Sequence, residues 1–231
     1  FIYSHFVANN EITHHCIIGD ENKQMAYLDD YAYLIQASIK YYEVTSNKKA
    51  LQQAHALTQK VQVLFNAPHT PFFYFSEERQ RDVIQRKTVV FDSPFPSGNA
   101  VMCENLLLLA HIFNDGSFLE KASFMVSSMK KWVESDPNSF AMWGMLTMTL
   151  HNGLIQFYVC GGNADEKMKI INEHFFPSRI LLAAMAKEDW PAVEKCSFGL
   201  ESIYNVCKGS SCLFSGDFNE ILKLSNNFAR I

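Results

Sequence analysis

Arg86-Lys-Thr-Val-Val-Phe-Asp-Ser-Pro-Phe-Pro-Ser-Gly-Asn99 passes from a β-like run, through two prolines, into the start of a strongly apolar stretch. Pro94 and Pro96 each fix their own φ and push the preceding residue towards extended geometry, so no helix runs through the segment and the loop is stiff. Ser97 stands where an N-cap belongs, with Gly98 and Asn99 opening the helix that follows, and the missing Cβ of Gly98 lets another group approach closely. Rigid polar loops at helix N-termini are places where ligands bind.

Outward from this loop the chain reads as helical hairpins. Upstream, Tyr27 to Val44 carries Leu28, Tyr31, Ala32, Ile35, Ile39 and Tyr42 on one helical face, with Asp29 and Asp30 in the first turn, where carboxylates complement the helix dipole. Thr45-Ser-Asn47 breaks the chain, and residues 48–66 form a second helix, so the two make an antiparallel pair. The aromatic run Pro71-Phe-Phe-Tyr-Phe75 and the segment returning through Lys87-Thr-Val-Val-Phe91 read as an inserted β-hairpin. Downstream, residues 99–113 are nearly all apolar, Asp115-Gly116 turns the chain, and residues 117–134 return as an amphipathic helix. Ala50-Leu51-x-x-Ala54 and Phe118-Leu119-x-x-Ala122 hold the same place in the two hairpins, 68 residues apart. A repeat holding one hairpin plus a crossover predicts a helical array, closed into a toroid or open as a solenoid.

The opening residues, 1–26, alternate apolar positions around Asn9-Asn10 and Gly19-Asp20 and read as two short strands, with His14 and His15 turned to opposite faces. A helix over 139–152 closes the helical region. After it, Ile155-Gln-Phe-Tyr-Val-Cys160, a helix over 163–175 and a strand from Ile180 make a βαβ-length unit, followed by a third strand over 202–206 and a short helix over 218–225. Cys160-Gly-Gly-Asn163 lacks both the glycine spacing and the lysine of a phosphate loop. The fold class expected is therefore mainly α, a partial (α/α)6-type toroid over residues 1–153, with a β-hairpin insertion and a small α/β appendage over 154–231.

With 231 residues, 48% of them hydrophobic and 19% charged, the chain has enough apolar surface for a sizeable core. Twenty basic against 24 acidic side chains, a formal net charge of −4, leave no basic stripe for nucleic acid. No apolar run reaches the roughly 18–20 residues of a membrane span. Six scattered cysteines are how a reducing, cytoplasmic setting looks. Cys207-x4-Cys212 alone has a spacing that suits a metal knuckle or a redox pair; without a second pair it makes no structural zinc site, and free thiols are expected ahead of a metal, with a local disulfide as the remaining alternative. No metal and no cofactor are expected.

Tyr27-Leu-Asp-Asp-Tyr-Ala-Tyr-Leu34, Phe72-Phe-Tyr-Phe75, Arg86-Lys87 with Asp92 and Pro96-Ser-Gly-Asn-Ala100, the Gly161 turn, Phe176-Pro-Ser-Arg-Ile180, and Tyr204-Asn-Val-Cys207 with Cys212 follow one another in this order. In that order they resemble the C-terminal half of the thioredoxin-domain-containing proteins of the YyaL and spermatogenesis-associated type. The resemblance covers essentially the whole chain. It implies a parent with an N-terminal thioredoxin-like domain as intramolecular partner, and a body similar to the six-hairpin glycosidases and N-acylglucosamine 2-epimerases. As aligned, the family pattern carries glutamates where this chain has Val89 and Gln156, so two carboxylates are missing.

A glycosidase needs an acid and a base or nucleophile at about 5 Å or about 6.5–9.5 Å. Asp29, Asp30 and Asp92 are the candidate catalytic carboxylates. Tyr27, Tyr31, Arg86, Ser97, Asn99 and His14 are the candidate binding residues for a carbohydrate-like small molecule, with Asp92 expected to turn towards Arg86 and the Asn99 amide. The alternative is a non-catalytic scaffold that binds a protein partner or its own thioredoxin-like domain. The two missing acids favour binding over catalysis.

Overall fold

The opening loop behaves as its residues dictate. In the computed structural model, which describes residues 1–18, 22–176, 178–209, 211–219 and 221, Ser97 is the N-cap of the helix that follows. Its hydroxyl accepts the Ala100 N–H at 3.3 Å and donates to the Val90 carbonyl at 3.2 Å. The short elements ahead of the helical body are α1 (Ile2–Phe6), β1 (Val7–Ala8), β2 (Glu11–Ile12), β3 (Cys16–Ile18) and β4 (Asn22–Gln24). β1 pairs with β2 and β3 with β4, both antiparallel. The expected first strand is thus a single helical turn before two very short hairpins, because apolar residues at 2, 3 and 6 satisfy either period over so few positions.

Four long helices follow: α2 (Leu28–Thr45), α3 (Lys48–Leu64), α4 (Gly98–Phe113) and α5 (Gly116–Ser135), with α6 (Ala141–Asn152) closing the series. The joints are made by residues suited to them. Ser46 and Asn114 take the left-handed conformation at the ends of α2 and α4, and the side chains of Asn47 and Asp115 accept the first N–H groups of α3 and α5. All of α4 is buried except Glu104, His111 and Phe113. α2 and α4 lie side by side and run the same way. Asn105 donates to the Ala32 carbonyl at 2.8 Å and Gln36 to Glu104 at 2.8 Å, while Tyr33 Oη donates to the Pro96 carbonyl just ahead of α4. Residues 36 and 104 are themselves 68 apart, so the sequence echo corresponds to neighbouring helices whose N-termini share one rim.

The segment between α3 and α4 forms single bridges, Asn66 with Phe73 and Tyr74 with Thr88, rather than the ladder of a hairpin. Side chains take over what a ladder would do. Asn99 accepts the Phe73 N–H at 2.7 Å and donates to the carbonyls of Phe73 and Val89 at 3.0 and 2.9 Å.

The remaining residues form β5 (Ile155–Cys160), α7 (Ala164–Asn172), β6 (Arg179–Ala184), β7 (Ile203–Lys208) and β8 (Ser211–Gly216), in one sheet of order β6-β5-β7-β8. β5 and β6 are parallel around α7, and β7 and β8 add antiparallel. β8 is an addition to the sequence reading, since Cys207-x4-Cys212 is the tip of a hairpin. Cys207 and Cys212 face each other across it and are joined in a disulfide, which corrects the expectation of free thiols. The Gly161 turn is filled by the loop at 199–202: Asn163 exchanges hydrogen bonds with Ser202, and a Cβ on Gly161 would meet the Ser202 Cα at 2.8 Å. Most of the helix expected over 218–225 lies outside the described residues.

Candidate functional site

At the rim where α2 and α4 begin, α1 and the residues after β2 lean over the first turns of α2 and leave a cleft of about 420 Å3. Ile2, Phe6, Ile12, Leu34 and Ala37 make its apolar walls, and His14, His15, Asp29, Asp30 and Tyr33 bring the polar atoms. Three residues expected at a site, Asp29, Asp30 and His14, therefore meet in one place.

Their environments differ. Asp30 closes a capping box, accepting the Tyr27 N–H at 2.8 Å, and takes the His15 ring nitrogen at 2.8 Å on the outer side. Asp29 accepts an N–H from Gly98 at the start of α4, and burial, reinforced by the neighbouring Asp30 charge, pushes its carboxyl above the usual value. Tyr33 is also raised, by burial first and then by the charges of Asp29 and Asp92 on either side of it. His14 is 4% exposed, its Nδ1 shares a hydrogen bond with Thr13 Oγ1 at 2.7 Å, and among the described residues its Nε2 has no partner. A buried polar atom without a partner costs about 1–3 kcal/mol, so His14 Nε2 is a group that an incoming donor or acceptor would satisfy.

The other expected site residues hold the fold instead. Tyr27 is the N-cap of α2 and stacks on Phe75, with its ring edge towards His15. Tyr31 is fully buried, its hydroxyl accepting the Ile12 N–H at 2.9 Å, and burial pushes it up to about 12. Arg86 donates to the carbonyls of Ser76 and Leu64 and lies over the Tyr74 ring. Asp92 does not turn to Arg86 or Asn99. Its two oxygens accept the N–H groups of Ser97 and Met142, both at 2.9 Å, so it ties the proline loop to the start of α6. Asn99 is fully buried and has both ends of its amide engaged. Ser97 is spent on capping.

Two aromatic contributors to the cleft, Tyr33 and Phe6, were missed by the sequence reading. Tyr33 lies one turn on from Asp29 and Asp30, so helical periodicity alone places it on their side. Phe6 had no such signal, because its segment read as a strand. A second cavity of about 460 Å3, between α4, α6 and α7, contains Lys40, Glu104, His174 and Arg179. Its cations are already engaged: Arg179 donates to Asn172 and to the carbonyls of Ile171 and His174, and Lys40 pairs with Glu43. Among the described residues no group of three or more His, Cys, Asp or Glu is placed to hold a metal ion.

No family model matches the chain. It is 23% identical over 195 residues to an uncharacterised protein of Caenorhabditis elegans, a match covering 81% of this chain and 26% of the relative. The chain thus spans about a quarter of that protein's length. Among the described residues no helix is long and apolar enough to cross a membrane.

Proposed function

We propose that the cleft at the shared rim of α2 and α4 binds a hydroxyl-rich small molecule of the carbohydrate type, on a body built as part of an (α/α)6-like toroid. The observation that carries this reading is the meeting in one cleft of a desolvated carboxyl, Asp29, an imidazole nitrogen on His14 that has no partner among the described residues, and apolar walls. Carboxylates accept hydroxyl protons in pairs, and the Phe6 and Tyr33 rings offer surface to the apolar face of a sugar. The parallel packing of α2 and α4 supports the toroid, whose inner helices begin at one rim. Both oxygens of Asp92 are occupied and Asp30 serves its cap and His15, which leaves Asp29 without a second free carboxylate. This favours binding over glycoside hydrolysis.

A second reading, a scaffold for a protein partner or the parent's thioredoxin-like domain, draws on Phe124, Trp132, Met145 and Met148, which are exposed on α5 and α6. The cytoplasmic setting is proposed with either reading, on the scattered thiols Cys16, Cys103, Cys160 and Cys196.

Titration with N-acetylglucosamine, followed by NMR shifts of the α2 first-turn amides, tests the first reading. Saturable shifts that are lost in Phe6→Ala and weakened in Asp29→Asn are expected. Unchanged spectra with this sugar and with neutral monosaccharides would remove it.

A further inference from the structure

The Cys207–Cys212 disulfide closes the β7–β8 hairpin, its two residues being direct partners in the ladder and five apart in sequence. Its two ends differ in access. Cys207, on the inner strand β7, is 3% exposed, whereas Cys212 lies exposed on β8, the edge of the sheet. Both line a cleft of about 250 Å3 between the sheet and the joint of α4 with α5, together with His111, Gln156, Tyr158 and Gly116. The floor of this cleft is fixed by hydrogen bonds. Gln156 is the ladder partner of Cys207 on β5, so the two side chains are neighbours on one face. The Gln156 amide oxygen accepts the Tyr158 hydroxyl at 2.8 Å, and its Nε2 donates to His111 Nδ1 at 3.3 Å. His111 is 13 residues along α4 from Gly98, about 20 Å of helix rise, so this cleft is separate from the one at the shared rim.

A staple would do little at this place. The loop it closes is short, which puts the entropic gain at its smallest, and ladder hydrogen bonds already hold β8 to β7. The other four cysteines, Cys16, Cys103, Cys160 and Cys196, are free. A chain that keeps four thiols and forms one disulfide has the pattern of a reducing setting, where the disulfides that do form are catalytic or redox-sensing.

We propose that Cys207 and Cys212 are a redox-active couple that exchanges electrons with a small thiol entering this cleft. The cleft has the volume of about eight water molecules, which suits a thiol of a few carbons. The order of events follows from access. The small thiol gives its proton to water and attacks Sγ of the exposed Cys212; the Cys207–Cys212 bond breaks, and Cys207 leaves as a thiolate that takes a proton from water, since its burial disfavours the charge. A second small thiolate then attacks the small molecule's own sulfur in the mixed disulfide. That sulfur's bond to Cys212 breaks, Cys212 leaves as a thiolate and is protonated, and the two small thiols depart joined as a disulfide. One protein disulfide is reduced to two thiols and two small thiols are oxidised to one disulfide; the reverse sequence reoxidises the couple.

The test treats the whole folded chain with 2-mercaptoethanol, quenches with acid at intervals, alkylates in denaturant and follows the Cys207 and Cys212 peptides by mass spectrometry. Both thiols are expected to appear without denaturant. A Cβ on Gly116 meets nothing within 4 Å, so a side chain can be added there to fill the cleft without moving the backbone. Gly116→Phe should slow the reduction about tenfold in the folded chain, because exchange depends on access, and leave the rate in urea unchanged. With bis(2-hydroxyethyl) disulfide, Cys212 in Cys207→Ser should take up the small thiol faster than Cys207 does in Cys212→Ser. A disulfide that opens only in urea would make the pair a structural staple, an unchanged rate in folded Gly116→Phe would mean attack from open solvent, and the reverse ranking of the two serine variants would place the attack on the wrong sulfur; each overturns the proposal. The wild-type reduction decides between couple and staple even where a variant does not fold.

Discussion

Asn99 shows how closely a binding residue and a structural one resemble each other in sequence. An amide with a donor and an acceptor beside a rigid loop suits a sugar hydroxyl, yet here it stands in for a missing strand pairing, holding Phe73 at both backbone groups and Val89 at its carbonyl. Asn99→Ala would leave the Phe73 N–H buried without a partner. The expected loss is about 3 kcal/mol or more in urea unfolding, where an exposed ligand-binding amide would change stability by less than about 0.5 kcal/mol. Asp29 behaves oppositely. Its folded-state value is raised above the unfolded 3.8, so the native state holds the proton more firmly, and stability falls as pH rises from 3.8 through the folded-state value. Asp29→Asn should therefore stabilise the protein at neutral pH by less than about 1 kcal/mol, since water screens a partly exposed carboxyl, with no gain below pH 3.8. Thermal melts at paired pH values read this directly. A loss of stability at neutral pH would mean that the Gly98 N–H contact outweighs desolvation.

Between elements, the decisive contact is the one that sets α2 against α4 at their first turns. A Cβ on Gly98 would land on the Asp29 carboxylate and within 3.3 Å of the Asp29 Cα, so part of the clash is with backbone and no rotamer removes it. Gly98→Ala is expected to cost about 2 kcal/mol, as overpacking does. Asp29→Ala in the same chain should recover about 1 kcal/mol of that, a coupling that a double-mutant cycle in urea measures and that strict additivity would disprove. The elements themselves were legible where chemistry is local. Ser97 is a cap in sequence and in structure, the break at Asn47 and the turn at Asp115 prove to be the caps of α3 and α5, and apolar periodicity located α2 to α5 within two residues at each end. The 68-residue echo anticipated that α2 and α4 are neighbours. What failed was long-range. Nothing near Asp92 announces that its carboxylate reaches Met142, and nothing near Arg86 announces that it serves carbonyls 10 and 22 residues upstream. Pairing of Cys207 with Cys212 depended on β8, whose residues Ser211 to Gly216 lack a strand pattern. The cleft was half legible: Asp29, Asp30 and His14 carry polar chemistry that a sequence displays, whereas the wall from Phe6 exists only because α1 folds over α2.

For the whole molecule the question is whether the helical region and the sheet behave as one body, and the answer lies at the open edge of β6. A parallel edge strand leaves alternate N–H and C=O groups without ladder partners. At Ala183 both are taken by the helical region and its neighbour: the Tyr42 hydroxyl accepts the Ala183 N–H at 3.1 Å, and Trp190 Nε1 donates to the Ala183 carbonyl at 3.1 Å, with the Tyr42 and Trp190 rings edge to face. Asn172 donates to the Glu43 carbonyl close by, and Lys48 pairs with Asp189. Buried apolar residues run in one cluster from α2 and α4 through to β5 and β6. A core shared in this way unfolds cooperatively, so the far-ultraviolet circular dichroism of the helices and the fluorescence of Trp190 should follow one denaturation curve. Tyr42→Phe keeps the ring and deletes only the hydroxyl, leaving the Ala183 N–H buried and unmatched, at a cost of about 1–3 kcal/mol. If the edge joins the two regions, both probes shift together to lower denaturant by that amount. A Trp190 signal that departs first, while the helical signal keeps its original midpoint, would instead make residues 154–231 a separately unfolding unit held on by packing alone.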